Sequence, residues 1–258
     1  MRIVLIQMNV AFGQTEENFS RAAGLLEQAA ATGADVILLP ELWNTGFFPA
    51  ENLSGLADPD GGRVNALCAA FAASHGVHLI SGSAAVLRDG NVYNTAYVFN
   101  REGAALCAYD KLHLFSPMGE TDFFTPGEHL GLFQLDGVNC GVEICYDLRF
   151  PEQAQAMALR GMDVMFLCAQ WPVQRLDHLH TLAKARAIEN QCFVVVCNGC
   201  GAAPGTRFGG GSCVFSPLGE TLCMADGTEQ IISAELDLSV LDGIRKAIPV
   251  FQDRTNFI

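Results

Sequence analysis

The order of apolar and polar positions divides the chain into two kinds of segment. Short continuous apolar runs are what strands look like when both faces of their sheet are covered, and stripes that repeat every three to four residues are helical faces. Arg2 to Met8 is a run of the first kind and predicts an opening strand. Beyond Thr15, placed to cap a helix, Phe19, Ala22, Ala23, Leu26, Ala29 and Ala30 form a stripe that Gly33 ends. Asp35 to Leu39 is a second run and stops at Pro40. Gly61 to Ser74 carries Val64, Leu67, Cys68 and Phe71 at helical spacing. Val77 to Ala85 and Val92 to Asn100 are strands, and the Asp89-Gly90 pair between them is a hairpin signal. Gly103 to Tyr109 extends that meander.

From Ser116 to Leu130 the pattern lapses into a long loop with Pro117, Gly119, Pro126 and Gly127. Such excursions inside compact domains are more often functional than not. Leu132 to Asp136 and Val138 to Ile144 then predict two strands around Gly137, and the grammar changes at Cys145. Asp147 stands as an N-cap, Pro151 falls in a first helical turn where its missing N–H costs nothing, and Ala154, Met157, Ala158 and Leu159 are periodic behind it. Asp163 to Cys168 is a strand, Leu179 to Glu189 a helix and Cys192 to Cys197 a buried strand. A hairpin of Cys213 to Ser216 and Glu220 to Met224, a strand to Leu236 and a helix capped by Asp237 or Ser239 follow. The tail, Ile248-Pro249-Val250-Phe251, is too apolar to be a free end. About a dozen strands exceed what one open sheet comfortably holds, so two stacked sheets with outer helices are expected. No linker or composition shift divides the chain, which reads as a single domain.

Composition narrows the class. Half of the 258 residues are hydrophobic and 17% are charged, which suits a large packed core and excludes a disordered chain. No apolar run approaches the ~18 residues of a membrane span, and Met1 to Met8 is too short and too soon polar for a signal peptide. A formal charge of −13 speaks against nucleic acid or an anionic membrane as a partner. Ten cysteines without a leader indicate reduced thiols in a cytoplasm. Cys197-Asn198-Gly199-Cys200 is a lone C-x-x-C, and the six histidines show no ligand spacing, so no metal is expected.

Three groups at strand ends change the picture. Cys145 lies where a strand ends and a helix opens, a turn that exposes a nucleophile beneath backbone N–H groups and lowers a thiol pKa. The alternative is a core cysteine packed like a small hydrophobe. Glu41 sits among Leu38, Leu39, Pro40, Leu42, Trp43, Phe47 and Phe48. It is either a solvated loop acid or a carboxylate whose pKa rises unless a cation lies nearby. Lys111 is either a snorkelling surface lysine or a fixed cation for a developing oxyanion.

In order, Leu39-Pro40-Glu41, Asp110-Lys111-Leu112-His113-Leu114-Phe115 and Ile144-Cys145-Tyr146-Asp147-Leu148-Arg149-Phe150-Pro151-Glu152 closely resemble the nitrilase superfamily of carbon–nitrogen hydrolases. The likeness runs from the first strand to the tail. It implies an α/β fold, a four-layer α-β-β-α sandwich, usually a homodimer. The second glutamate that this family carries in a Gly-rich loop after the lysine is matched by Glu120. Gln170-Trp171-Pro172, Ala185-Arg186-Ala187-Ile188-Glu189-Asn190-Gln191 and Ile248-Pro249-Val250-Phe251 look most like the omega-amidases, which release ammonia from the terminal amide of 2-oxoglutaramate or 2-oxosuccinamate.

The resemblance implies a division of labour. Cys145 attacks the amide carbonyl to form a thioester, and Glu41 carries the proton and then activates water. Lys111 and the Tyr146 backbone N–H face the oxyanion, and Glu120 fixes Lys111. The chemistry needs no cofactor, and the partners are a small amide and water. Phe47, Phe115, Met118, Gln170 and Trp171 are expected as substrate-binding walls, Arg149 and Glu152 as an ion pair bracing the elbow, and Arg175, Arg207 or His178 as a seat for a substrate carboxylate. A nitrilase or an N-carbamoyl amino-acid amidohydrolase uses the same residues and stays open at this point. A silent binding scaffold is expected to lack one of the three groups, and all are present.

Overall fold

A computed structural model of the protein describes residues 1–47 and 49–255. Phe48, named above among the neighbours of Glu41, lies outside the described residues. The chain begins with β1 (Arg2–Gln7), α1 (Thr15–Ala30), β2 (Val36–Leu38), α2 (Leu53–Leu56), β3 (Asp58–Pro59), α3 (Gly62–His75), β4 (His78–Arg88), β5 (Asn91–Phe99) and β6 (Ala105–Asp110). It continues through β7 (Gly131–Leu135), β8 (Val138–Ile144), α4 (Pro151–Ala158), β9 (Val164–Ala169), α5 (Leu176–Asn190) and β10 (Phe193–Asn198). It ends with β11 (Cys200–Ala203), β12 (Thr206–Gly209), β13 (Cys213–Phe215), β14 (Thr221–Met224), β15 (Gln230–Glu235) and α6 (Val240–Ala247).

Two sheets stack face to face. One runs β15-β1-β2-β4-β5-β6 with β3 beside β4, and the other runs β14-β13-β10-β9-β8-β7. The continuous apolar runs are explained by burial on both faces. From β1, Ile3 and Leu5 point between the sheets and meet Val142, Ile144 and Phe166, whereas Val4 and Ile6 point outward to Phe19 and Leu26 of α1. Val64, Cys68 and Phe71 of α3 complete that outer layer. On the far side Met157 of α4 and Leu179, Ala183 and Ala187 of α5 cover the second sheet. The layering is therefore helix, sheet, sheet, helix.

Several local expectations shift. Thr15 is the first helical residue of α1, with Gln14 in the cap position. Asp147 is not the cap of α4: Cys145–Arg149 forms a 3-10 turn of its own, and Phe150 precedes Pro151 at the start of α4. The hairpin β11–β12 is new, because its Gly- and Ala-rich strands have neither alternation nor an apolar run to announce them. The tail does pack on the chain, since Gln191 Nε2 donates to Ile248 O (2.8 Å) and Phe251 rests on the core, while Ile248 and Val250 stay exposed.

Candidate active site

Glu41 is placed by a turn that needs close backbone approach. Gly82 lies in a bulge of β4 at φ +69°, where a Cβ would stand 2.2 Å from the Pro40 carbonyl oxygen. Glycine alone admits the turn there. Ser83 then clamps it, taking Leu42 N–H on its hydroxyl (3.1 Å) and donating its own N–H to Pro40 O (3.0 Å). The Glu41 side chain is 0% exposed, so it is not a solvated loop acid.

Lys111 follows β6 and is 1% exposed, which rules out a snorkelling lysine. Its Nζ donates to Glu41 Oε1 (2.9 Å) and to both oxygens of Glu120 (2.9 and 2.8 Å). Glu120 in turn accepts the Phe115 backbone N–H, which ties the long loop to the lysine segment. Asn94 of β5, fully buried, donates from Nδ2 to Glu41 Oε1 (3.0 Å) and Glu120 Oε1 (3.3 Å). Nothing in its sequence setting singled out Asn94; an asparagine facing inward from a strand carries no local signal.

The charges around this cluster answer one another. Burial raises the Glu41 carboxyl, Lys111 opposes that rise, and the Glu120 charge adds to it; the net direction is up. Burial alone would lower Lys111, but Glu41 and Glu120 overcome it and hold the ammonium well above its ordinary pKa. Oε2 of Glu41 makes no hydrogen bond of ordinary geometry among the described residues, which leaves it available to the Cys145 thiol with which Glu41 interacts.

Cys145 closes β8 in the left-handed region, φ 48°. A non-glycine residue there stores about 1–3 kcal/mol of strain, and such residues cluster where a side chain has to be aimed. The thiol departs from expectation in one respect. Burial first, then the Glu41 charge, push its pKa well up, against Lys111 and the Gln170 backbone N–H. The helix dipole does not win because α4 begins only at Pro151, beyond the 3-10 turn, and the effect fades within a turn.

Cys145 and Lys111 open onto a cavity of about 270 Å³. Phe47, Phe115, Met118, Gln170 and Trp171 line it, together with Tyr146. Gln170 donates from Nε2 to the Glu41 carbonyl, so it also fixes the glutamate backbone. Arg149 is not paired with Glu152. Its guanidinium lies 4.6 Å from the Trp171 ring centre and 3.4 Å from His178 Nδ1, and it lines the cavity. Arg175 lines it too, 5.2 Å from the Phe115 ring centre, whereas Arg207 and His178 are not among the lining residues. Gly205, Thr206 and Phe208 of the unforeseen β11–β12 hairpin form another wall.

The C-x-x-C finds no exposed setting. Cys197 and Cys200 are buried, and burial pushes the Cys200 thiol to about 12. No disulfide joins any of the ten cysteines.

Glu143, two residues before Cys145, is a further buried acid. It is 0% exposed, and neither oxygen has a hydrogen-bond partner among the described residues. Burial and then the Asp147 charge push its carboxyl well up, with Arg186 opposing. An unpaired buried polar group costs about 1–3 kcal/mol. Glu143→Met, of similar volume without the polar atoms, is expected to recover about that much, at about 2–4 °C of Tm per kcal/mol in a chain of this size. The folded pKa lies above the unfolded one, so the contribution of this group to stability is most favourable below about pH 4.3 and falls as pH rises towards the folded value. The gain in thermal melts should therefore be larger at alkaline than at acidic pH; no gain at either would mean that the carboxyl is satisfied.

A carbon-nitrogen hydrolase family model matches residues 2–246. The 2-oxoglutaramate amidase of Bacillus subtilis (strain 168) is 42% identical over 251 residues, 97% of this chain and 96% of that protein. An omega-amidase of Bos taurus is 32% identical over 268 residues, 98% of this chain and 94% of that one. Among solved structures, a CN-hydrolase superfamily protein from Xanthomonas campestris with an arsenic adduct in its active site superimposes with a TM-score of 0.91 at 27% identity, over 100% of this chain and 98% of that one.

Proposed function

The chain belongs to the carbon–nitrogen hydrolase family and is a hydrolase of non-peptide carbon–nitrogen bonds; from that premise we propose that it is a cysteine-dependent omega-amidase, releasing ammonia from a small carboxylate-bearing amide of the 2-oxoglutaramate or 2-oxosuccinamate kind. The observation that carries the reading is the meeting of three things. A buried Glu41–Lys111 pair adjoins the aimed thiol of Cys145, and that thiol opens into a cavity lined by the guanidinium groups of Arg149 and Arg175. Two cations at the wall suit an anionic substrate, and the bacterial relative at 42% identity is named for such an amide.

The reaction balances with the chain's own groups. The Cys145 sulfur attacks the amide carbonyl while Glu41 takes the thiol proton. The oxyanion forms against the Lys111 ammonium and the Tyr146 backbone N–H. Glu41 then protonates the departing amine, and the C–N bond breaks to give ammonia and a thioester. Water, deprotonated by Glu41, attacks the thioester; collapse releases the carboxylate and returns the proton to sulfur. Glu120 and Asn94 hold the lysine and the base in place. Because the thiol and Glu41 are both raised, the proton transfer and the attack are coupled, and no free thiolate need accumulate.

Residues 1–258 are taken as one domain, supported by the span of the family match. A symmetric homodimer is supported by the exposed Ile188, Leu218, Ile248 and Val250. A cytoplasmic setting is supported by ten unpaired thiols, and fractionation placing the protein outside the cytoplasm would overturn it.

The test is ammonia release over 2-oxoglutaramate, 2-oxosuccinamate, neutral amides and nitriles, with light scattering on the same preparation. Turnover is expected on carboxylate-bearing omega-amides, with a much higher KM for neutral ones, and a dimer mass. Turnover of nitriles alone would defeat the amidase reading, and a monomer mass at micromolar concentration would defeat the dimer.

A further inference from the structure

We propose that Asp147 is the positioning residue that sets Lys111 and Cys145 at their working separation, by gripping both segments with a single buried carboxylate. The proposal rests on the reading of those two residues given above. Lys111 leaves the end of β6 in one sheet and Cys145 the end of β8 in the other, so their spacing is not set by any backbone ladder. Asp147 supplies the link. Its Oδ1 accepts the backbone N–H of His113 and the His113 Nδ1–H, each at 2.9 Å. Its Oδ2 accepts the Tyr109 hydroxyl (2.6 Å) and the Ile144 backbone N–H (3.0 Å).

The arrangement brackets the lysine. Tyr109 and His113 lie two residues to either side of Lys111, and both end on the same carboxylate. Ile144 immediately precedes Cys145 and ends on it too. Facing a carboxylate that only accepts, His113 carries its proton on Nδ1. The His113 ring stacks on Phe150 at 3.7 Å and 9°, and the Tyr109 hydroxyl accepts from Gln153 Nε2 (2.8 Å) and Leu112 N–H (3.3 Å), so the bracket is itself held by the start of α4. Asp147 is 0% exposed and is not among the residues lining the cavity, which makes it a positioning and not a catalytic group. It also supports the left-handed backbone of Cys145, which a free chain would relax. Tyr109 and, from β8, Glu143 both feel its charge.

A bare structural cap would stabilise the elbow without tuning the chemistry, and the two roles separate by experiment. Asp147→Asn keeps the size but turns one of the two accepting oxygens into a donor that faces two of the four donors. Tyr109→Phe removes one of the four and keeps the buried ring. Each full-length variant is alkylated with iodoacetamide across neutral and alkaline pH, the Cys145 peptide is followed by mass spectrometry, and kcat and KM are measured per titratable site. A catalytic group misplaced by about 1 Å loses about 10²-fold. For Asp147→Asn we expect that loss in kcat with KM changed only a few-fold, and an alkylation midpoint moved to higher pH because Lys111 no longer opposes the rise of the thiol. Tyr109→Phe should lie between this variant and the wild type. An alkylation profile and kcat per site that match the wild type, with only the melting temperature lowered, would overturn the proposal; if the asparagine variant does not fold, the same result in Tyr109→Phe overturns it alone. Selective labelling of Cys145 in the wild type is the separate check on the nucleophile.

Discussion

Cys145→Ser is expected to lower ammonia release by several orders of magnitude while circular dichroism stays unchanged. The substitution keeps the shape of the elbow and its left-handed backbone, and replaces a thiol by a far less acidic and less nucleophilic hydroxyl. The size of the loss follows from what Glu41 can do. Its carboxyl is raised by burial, and in the proposed mechanism it serves as a base matched to a thiol lining the same site, too weak to activate a hydroxyl to the same degree. Glu41→Gln removes the base and should also cost at least about a hundredfold in kcat, the lower range for general-base catalysis. Groups that act as a unit lose activity together, so Cys145→Ser with Glu41→Gln should be little worse than the serine variant. Steady-state assays decide. If the folded serine variant kept more than about a tenth of the wild-type kcat, far above what removal of a nucleophile leaves, the nucleophile would have to be sought elsewhere.

Lys111→Met should lose both rate and stability, for separate reasons. One oxyanion donor is worth about 10²–10³ in kcat, and in the proposed mechanism the Lys111 ammonium, which lines the same cavity as the thiol, is the charged donor to the oxyanion. The same change strands Glu41 and Glu120, which share that ammonium, as two buried carboxylates with Asn94 between them. Removing one partner of a buried ion pair costs about 3–5 kcal/mol, and at about 2–4 °C per kcal/mol that lowers Tm by roughly 6–20 °C. The pH dependence gives the sign. Glu41 is already raised by burial and the lysine opposes that rise, so without it the folded Glu41 carboxyl stands further above its unfolded value, the folded state binds that proton more tightly, and the deficit shrinks as pH falls. Melting curves and kcat on the same preparation separate the effects. A variant as stable as the wild type at neutral pH would mean that the two carboxylates do not depend on the ammonium, and one that kept more than about a tenth of kcat would remove it from the oxyanion site.

The sequence by itself determined the layering and singled out the three groups on which the proposed mechanism rests. Continuous apolar runs in Arg2–Gln7, Val36–Leu38 and Phe193–Asn198 could only be strands covered on both faces, and stripes such as Phe19, Ala22 and Leu26 could only be the helices that cover them. Glu41, Lys111 and Cys145 were legible because each interrupts such a pattern at the end of its strand. Local periodicity reports what each segment buries, and it reports nothing about which distant segment it meets. Tertiary structure alone decided the rest. Asn94 joins Glu41 from 53 positions away, and Asp147 reaches Tyr109 across 38. Arg149, expected as a partner of Glu152, instead lies at the cavity wall, over the ring that Trp171 offers just past the end of β9. The thiol's pKa was misjudged for the same reason. A helix start can be read from Pro151, but the depth at which Cys145 is buried and the carboxylate it faces depend on how the two sheets stack.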